Sequence, residues 1–368
     1  MTSVHLCGLH KSFGDQVVLD NLDLAAESGS YVVLLGPSGC GKTTTLRMIA
    51  GLDNPGSGQV LMAGVDVSKV PPRKRDVSMV FQNDGLYPHL NVEQMIRLAI
   101  RGRCPASEVD SRFSEAVSMT GIAKLLRKTP RQLSGGELRR AAIASAVARQ
   151  TAVRLLDEPL AALDVTVRQQ LQNDLLQWHR AVPGTTIHVT HDGSEAMRVA
   201  DQIAVMSGGR IMQIGKPDMV YEEPQTIAVA NSIGTPTMNW LEAEVVDGVV
   251  QIDRAGLTAG GTLRVGTRDE TVAVGVRPTA FLVSECVEQK FGMPCLDFRP
   301  KVRDCRTVED SLEVAFSLND WLFTAVFDRS AQRYLPSVGG TLPLRVPASR
   351  VHVFSRLTGQ RLREHDVG

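Results

Sequence analysis

The sequence predicts an α/β domain that contains an inserted helical block and is followed by an all-β domain. Strand-like and helix-like patterns alternate in the first part of the chain, apolar residues recur at helical spacing over residues 91–148, and short β-rich runs fill the last third. The chain has 368 residues, which is enough for two domains. Because residues 215–236 are rich in proline and glycine, we predict domains over residues 1–235 and 236–368.

The individual elements follow from local patterns. The apolar run 31–35 predicts a buried strand that ends at a glycine-rich loop, and residues 42–50 predict the helix that follows and stops at Gly51. Further strands of the α/β domain are predicted over residues 77–82, 153–157, 185–190 and 202–206, and helices of the inserted block over 92–101, 108–120 and 136–148. In the last third, strands are predicted over residues 241–246, 271–277, 321–327, 341–346 and 351–354, at intervals that suit small barrels.

Composition narrows the classes of function. Forty basic residues balance forty acidic ones, so the overall charge gives no reason to propose nucleic acid as a partner. The longest apolar runs are much shorter than the roughly 20 residues that cross a bilayer, and the first residues lack a secretory signal. We therefore expect a chain on the cytosolic side that does not span a membrane. Six cysteines without a CxxC pair argue against a zinc site or a disulfide framework.

A phosphate-binding loop is predicted where the strand over residues 31–35 ends. Glycines let backbone N–H groups face phosphates, and the helix N-terminus adds partial positive charge. Lys42 is expected to neutralise the β- and γ-phosphates of ATP, and Thr43 to offer its hydroxyl to Mg²⁺. Cys40, next to Lys42, is expected to have a lowered thiol pKa. The residues assigned to this loop are Gly36, Pro37, Ser38, Gly39, Cys40, Gly41, Lys42, Thr43 and Thr44.

Polar residues at the ends of other predicted strands suit hydrolysis. We expect Asp157 to hold Mg²⁺ and Glu158 to orient or deprotonate the attacking water. His191 is suited to hydrogen-bond the γ-phosphate and the water, and Gln82 to reach Mg²⁺ or water as a sensor. Phe13 is the candidate to stack on adenine. Taken singly, each feature has a structural alternative: a chance glycine-rich turn, a helix cap with a solvated charge, a structural histidine, or an ordinary apolar side chain.

A further segment between the phosphate loop and the acidic pair identifies a family. The run Leu133, Ser134, Gly135, Gly136 and Glu137 opens a predicted helix, so its hydroxyl and N–H groups form a second anion-binding surface. With this run in place, the chain resembles the ATP-binding subunit of an ABC transporter. The resemblance covers nearly the whole chain, most strongly up to about residue 236. It narrows to the maltose and glycerol-3-phosphate importer ATPases through the segments 81–83, 86–90, 189–192 and 195–197 and the C-terminal β region.

The resemblance implies a fold, cofactors and partners. It implies an α/β P-loop ABC ATPase domain followed by an accessory domain of small OB-like barrels, and an enzyme that hydrolyses ATP with Mg²⁺. Two copies would form a head-to-tail dimer in which Ser134, Gly135, Gly136 and Glu137 of one copy cap the nucleotide of the other, with Asp164 in the loop that crosses between the sites. Two transmembrane permease subunits and, indirectly, an external solute-binding protein would complete an importer at the cytoplasmic face of the inner membrane.

Three residues depart from the family pattern, and the solute stays open. Glu137 replaces a usual glutamine, Arg154 a usual apolar residue and Ala161 a common serine. A carbohydrate or sn-glycerol-3-phosphate fits the resemblance. The alternatives are an importer ATPase for another small solute, a soluble ABC ATPase that acts in DNA repair or translation, and a binding module whose β-domain senses a ligand.

Overall fold

A computed structural model describes residues 2–81, 87–161, 163–251, 258–259, 265, 267, 271–284, 295–308, 310–319 and 321–362. The chain forms two compact units, Met1–Val220 and Tyr221–Gly368. Each unit contains its own cluster of buried apolar side chains. None of the helices in the described ranges is long and apolar enough to cross a membrane.

The first unit combines a parallel sheet with an antiparallel one. Its strands, in chain order, are β1 Val4–Phe13, β2 Gln16–Ala26, β3 Tyr31–Leu35, β4 Ser57–Met62, β5 Val65–Asp66, β6 Val77–Val80, β7 Val153–Asp157, β8 Thr185–Thr190, β9 Gln202–Ser207 and β10 Arg210–Gly215. The central sheet has the order β10-β9-β3-β8-β7-β6, and all its pairs are parallel except β9 with β10. The second sheet, β2-β1-β4-β5, is antiparallel. Because β3, β7 and β8 are neighbours and parallel, their carboxyl ends lie at one edge of the central sheet.

Helices follow the strands or form the inserted block. They are α1 Lys42–Ala50, α2 Val92–Ile100, α3 Val109–Thr120, α4 Gly135–Arg149, α5 Val165–Ala181, α6 Gly193–Val199, α7 Pro217–Glu222 and α8 Ile227–Ser232. In the inserted block, α4 packs against both α2 and α3. Their buried apolar residues form one core with those of α5. The predicted strands 31–35, 153–157 and 185–190 and the predicted helix 42–50 are confirmed with these bounds.

The described part of the second unit is mainly antiparallel sheet. Its strands are β11 Asn239–Val246, β12 Val249–Gln251, β13 Thr258–Ala259, β14 Thr271–Val276, β15 Leu282–Val283, β16 Cys295–Phe298, β17 Lys301–Val308, β18 Ser311–Leu318, β19 Trp321–Asp328, β20 Leu344–Pro347, β21 Val351–Ser355 and β22 Arg361–Leu362. They form three sheets with the orders β12-β11-β14-β21-β22, β13-β16-β20-β15 and β17-β18-β19. The strand predicted over residues 341–346 begins only at Leu344, because Pro343 has no N–H to donate to a ladder.

The segment that precedes β11 belongs to the second compact unit. Arg277, which is 2% exposed, donates to the carbonyl oxygens of Tyr221 (3.0 Å), Ala230 (3.0 Å) and Ile233 (2.7 Å). Its guanidinium also lies 4.3 Å from the centre of the Tyr221 ring. The compact units therefore divide before Tyr221, whereas the composition of the linker led us to place the domain boundary after residue 235.

Candidate functional site

The glycine-rich loop joins β3 to α1. Gly41 precedes α1 with φ 102°, a left-handed conformation that favours glycine. A Cβ atom at Gly41 would lie 2.5 Å from Leu19 Cδ2, and one at Gly36 would lie 2.3 Å from the Met206 carbonyl oxygen. The first turn of α1 contains no acidic residue, and its backbone N–H groups have no partner within the helix. The loop therefore has the backbone and charge properties that bind phosphate.

Lys42 is held at the centre of this loop. Its Nζ donates to the carbonyl oxygens of Gly36 at 2.7 Å and Pro37 at 2.8 Å, and the residue is 5% exposed. The remaining loop residues differ in exposure. Pro37, Ser38, Gly39 and Thr43 are exposed, Thr44 is half-buried, and Cys40 is buried. A bound polyphosphate would offer the Lys42 ammonium stronger, charged acceptors than these two carbonyl oxygens.

Cys40 does not have the acidic thiol that its position beside Lys42 suggested. Its Sγ lies 4.0 Å from Lys42 Nζ, but the residue is 5% exposed. Burial raises the pKa of the Cys40 thiol, and the smaller effect of the Lys42 charge does not reverse this. The expectation of a lowered pKa is therefore wrong, because desolvation of the thiolate outweighs its attraction to the lysine.

Thr43 and Asp157 bring two oxygen ligands together. Thr43 Oγ1 donates to Asp157 Oδ1 at 3.0 Å, which joins the start of α1 to the end of β7. Burial raises the pKa of the Asp157 carboxyl, while the hydrogen bond from Thr43 opposes this rise and Glu158 adds to it. A buried carboxylate of this kind gains from a nearby cation, and hydroxyl and carboxylate oxygens are the ligands that Mg²⁺ prefers. Among the described residues, no group of three or more His, Cys, Asp or Glu side chains is placed to hold a metal ion.

Glu158 and His191 meet at the ends of β7 and β8. Glu158 Oε1 lies 3.4 Å from His191 Nδ1; the glutamate side chain is 14% exposed and the imidazole 57%. Glu158 has φ 46°, an uncommon left-handed conformation for a residue with a side chain. Its N–H donates to the Val189 carbonyl oxygen at 2.9 Å, which holds the turn after β7 against β8. The pair therefore forms a carboxylate and an accessible imidazole at the same sheet edge as the phosphate loop.

The run from Ser134 to Glu137 begins α4 with a reciprocal cap. Ser134 accepts from the Glu137 N–H at 3.3 Å, and the Ser134 N–H donates to Glu137 Oε2 at 2.8 Å. Lys128 Nζ lies 3.1 Å from Glu137 Oε1. The hydrogen bond from the Ser134 backbone N–H, followed by the one from the Lys128 side chain, lowers the pKa of the Glu137 carboxyl. The glutamate at this position thus caps its own helix, and Gly135 and Gly136 form the first turn of α4.

Other predicted site residues lie on separate elements. Phe13 ends β1 and is 52% exposed, with Lys11 Nζ 5.0 Å from its ring centre. Asp164 caps α5, since its side chain accepts from the Val167 N–H at 2.9 Å. Gln82, predicted as a sensor, lies outside the described residues. Ala161 donates its N–H to the Glu158 carbonyl oxygen, so it belongs to the turn that carries the acidic pair.

Sequence patterns did not single out Arg139 of α4. It is 4% exposed, and its guanidinium donates to the carbonyl oxygens of Phe81, Asp157 (2.9 Å), Glu158 and Pro159 (2.8 Å). These contacts tie the helix that begins at Ser134 to the ends of β6 and β7. The pattern gave no signal for this role, because an arginine on an amphipathic helix usually faces water.

Comparison with known proteins decides the family. Residues 19–161 match the model of the ABC transporter family. The chain is 37% identical over 368 residues to the sulfoquinovosyl glycerol transport ATP-binding protein SmoE of Agrobacterium fabrum. The matched region covers 97% of this chain and 99% of that relative. The chain belongs to the ABC transporter family. It is an ATPase subunit of the ABC importer type, as the motifs indicated.

Two further ABC relatives and one solved structure agree. The chain is 36% identical over 362 residues to the sn-glycerol-3-phosphate import ATP-binding protein UgpC 2 of Rhizobium johnstonii, covering 98% of this chain and 99% of the relative. It is 44% identical over 254 residues to the trehalose/maltose import ATP-binding protein MalK of Thermococcus litoralis, covering 67% and 68%. A dimeric ATP-binding cassette in a post-hydrolysis state with ADP and Pi matches with TM-score 0.53 and 29% identity, over 58% of this chain and 98% of that one. The ABC ATPase fold of the first unit is thereby confirmed.

Proposed function

We propose that this ABC ATPase uses ATP hydrolysis to drive uptake of a carbohydrate or sn-glycerol-3-phosphate through separate membrane subunits. The single observation that carries the chemistry is the convergence of Glu158 and His191 at the edge where Thr43 meets Asp157. The solute class is supported by the names of relatives that match over nearly the full chain. The protein acts as a peripheral subunit at the cytoplasmic face of the membrane.

The residues divide into those that hold ATP and those that act on water. The loop over residues 36–44 and the Lys42 ammonium bind the phosphates, and Phe13 stacks on the adenine. Glu158 is the general base that orients and deprotonates the attacking water. His191, at 3.4 Å from that carboxylate, donates to the γ-phosphate and keeps Glu158 in place. The left-handed backbone at Glu158 supports this assignment, since strained residues cluster at functional sites.

Thr43 and Asp157 are the residues that would hold Mg²⁺. When bound, Mg²⁺ neutralises charge on the β- and γ-phosphate oxygens. The hydrogen bond of 3.0 Å from the Thr43 hydroxyl to Asp157 Oδ1 supports this role, because it places two oxygen ligands side by side. Gln82 is assigned to the same site from its place in the sequence alone.

A second copy of the chain completes the site. Ser134, Gly135, Gly136 and Glu137 of one copy lie against the ATP held by the other, and Asp164 lies in the loop between the two sites. The cap at Ser134 fixes the N-terminus of α4, whose free N–H groups attract anions. A matching ABC structure is dimeric, which supports a homodimer here. One chain carries all the elements of a half-site, and this favours two identical copies.

The membrane subunits dock on the inserted helical block. A groove of about 390 Å³ lies between the end of β6 and helices α2 and α4. Its lining includes Phe81, Tyr87, Met95, Leu98, Arg101 and Arg149. Phe81, Tyr87 and Leu98 are exposed apolar side chains, which suit a helix from a membrane subunit. The second unit, as small OB-like barrels, supports the homodimer.

Affinity purification from gently solubilised membranes of the native host tests this proposal. Mass spectrometry is expected to find two multi-span proteins and a solute-binding protein in stoichiometric amounts. The binding protein is then titrated with sn-glycerol-3-phosphate, maltose, trehalose and sulfoquinovosyl glycerol. Recovery of the chain without membrane partners would support a soluble ABC ATPase instead. Binding of none of these solutes by the captured protein would exclude the proposed class and retain an importer for another small solute.

A further inference from the structure

A buried line of polar side chains runs behind the candidate active site. It starts at Tyr31 of β3, whose hydroxyl lies 2.9 Å from His188 Nδ1 on β8. The other ring nitrogen, His188 Nε2, lies 3.0 Å from Glu195 Oε1 on α6. The second carboxylate oxygen, Glu195 Oε2, accepts from the Thr190 hydroxyl at 2.7 Å. Three elements are thereby connected through side chains.

These residues are almost completely removed from water. Tyr31 is 1% exposed, His188 0%, Thr190 2% and Glu195 5%. The contact of His188 with Glu195 is short but poorly aligned, because neither atom has a partner in good hydrogen-bond geometry within the described chain. Burial raises the pKa of the Glu195 carboxyl, but the adjoining His188 ring and the hydrogen bond from the Thr190 hydroxyl outweigh this effect, so the pKa is lowered. Glu195 is therefore an ionised carboxylate in the interior. Burying such a charge costs free energy unless polar partners compensate it.

The line ends at the backbone that carries His191. The Thr190 hydroxyl accepts from the Asp192 N–H at 3.0 Å while it donates to Glu195. A hydroxyl has only one proton, and Thr190 donates it to the Glu195 carboxylate. The Thr190 oxygen is therefore oriented to accept a hydrogen bond from the Asp192 N–H. The backbone on both sides of His191 is thus fixed by one side chain whose orientation depends on Glu195.

His191 needs this support because its own side chain is poorly packed. The imidazole is 57% exposed, and its Nδ1 is 3.4 Å from Glu158 Oε1. The side-chain position therefore depends mainly on the backbone of residues 190–192. We propose that Thr190 and Glu195, supported by His188 and Tyr31, are positioning residues that hold His191 within reach of Glu158. This inference rests on the proposed role of His191 in ATP hydrolysis.

Matched substitutions in the full chain test this positioning role. Thr190→Val keeps the shape but removes the hydroxyl, and Thr190→Ser keeps the hydroxyl. Thr190→Val and Glu195→Gln are expected to lower kcat for ATP hydrolysis about tenfold or more, with KM for ATP unchanged, because a small displacement of a catalytic group is costly. Thr190→Ser should remain close to the wild type. Thr186→Val is the control, because Thr186 lies on the same strand but contacts His179 instead.

Amide exchange measures the position of the loop independently of turnover. In Thr190→Val the Asp192 amide should exchange faster than in the wild type, while the amides of β7 and β8 stay protected. Wild-type kcat in Thr190→Val or Glu195→Gln would overturn the inference, and so would equal losses in Thr190→Val and Thr190→Ser. Wild-type turnover in His191→Ala would instead contradict the role proposed for His191 in ATP hydrolysis, on which the positioning role of Thr190 and Glu195 depends. The two failures are therefore distinguishable.

Discussion

At the scale of single residues, the candidate active site depends on a carboxylate held in an unfavourable backbone conformation. Glu158 has φ 46°, and such a residue typically costs about 1–3 kcal/mol. Its N–H is held by Val189 and its carbonyl oxygen accepts from Arg139 and from the Ala161 N–H. These contacts keep the carboxylate beside His191.

The first prediction concerns the charge of Glu158. Glu158→Gln keeps the size of the side chain but removes the proton acceptor, so turnover of ATP should fall by at least about a hundredfold. ATP binding should persist, because the phosphate loop is unchanged, and the ATP-bound homodimer should accumulate. Phosphate release and size-exclusion chromatography with ATP measure the two effects. Glu115→Gln, at an exposed position of α3, is the matched control. Wild-type turnover in Glu158→Gln would refute the assigned base.

The second prediction concerns Arg154, which lies on β7 and is 0% exposed. Its guanidinium donates to the Val182 carbonyl oxygen and lies 4.6 Å from the Trp178 ring centre, while Nε and Nη1 have no partner among the described residues. Burial lowers the pKa of the guanidinium to about 10, so the residue remains charged at neutral pH.

Replacing this buried charge by an apolar side chain should not harm the fold. Arg154→Met is expected to raise the free energy of unfolding by about 1–2 kcal/mol, because the desolvation cost disappears and the stem still packs on Trp178. Urea denaturation measures the change, and Arg180→Met at an exposed position of α5 is the control. A loss of more than about 1 kcal/mol would show that the bond to Val182 matters more than desolvation.

At the scale of elements, the sequence predicted the strands and helices whose apolar pattern and end signals lie together in one short segment. The strand 31–35, the glycine-rich loop and the helix 42–50 follow each other without interruption, and all three agree with the structure. The strands β1 and β2 were not predicted, because bulges between them interrupt the alternation of buried and exposed residues. For the site, Asp157, Glu158 and His191 could be chosen from strand ends. Arg139 could not, because its contacts with Phe81 and residues 157–159 form only when distant segments meet. Thr190 could not either, because threonine is common in strands and gives no sign of the bonds that its hydroxyl makes to Asp192 and Glu195.

The third prediction concerns the segment over residues 221–233. Arg277 anchors it by donating to three carbonyl oxygens, and burial lowers the pKa of this guanidinium to about 10, so it stays charged. Arg277→Met should lower the free energy of unfolding of the second unit by about 3 kcal/mol, since buried carbonyl oxygens lose their donor. Limited proteolysis should then cleave this segment faster. Arg329→Met, exposed after β19, is the control. Unchanged proteolysis would show that apolar packing alone holds the segment.

At the scale of the whole molecule, the residues of the proposed chemistry and a histidine with a strongly lowered pKa lie in different compact units. The described residues proposed to bind and hydrolyse ATP all lie in Met1–Val220. The second unit instead buries His352, which is 2% exposed and lies on β21. Burial, followed by the charges of Arg361, Arg277 and Arg350, lowers the pKa of the His352 imidazole to about 3. His352 is therefore neutral in the folded unit at neutral pH.

The fourth prediction follows from the difference between this pKa and that of an unfolded histidine. Between pH 6.5 and about 3 the unfolded chain binds a proton that the folded unit does not, so stability falls as the pH falls. From pH 7 to pH 5, the second unit should lose about 2 kcal/mol through His352, which is about 1.4 kcal/mol for each pH unit below 6.5. The loss should be absent in His352→Leu and present in the control His10→Leu, whose histidine is partly exposed.

Tryptophan fluorescence can assign this loss to the correct unit. Of the three tryptophans, Trp178 lies in the first unit and Trp240 and Trp321 in the second, so Trp178→Phe leaves probes of the second unit only. Urea denaturation at pH 7 and pH 5 then gives the free energy of unfolding of this variant. The same measurement is made on a variant that also carries His352→Leu. If His352→Leu loses as much stability as its parent, other groups cause the acid sensitivity. If the loss disappears, one buried imidazole sets the lower pH limit of a unit that contains no residue of the proposed catalytic pair.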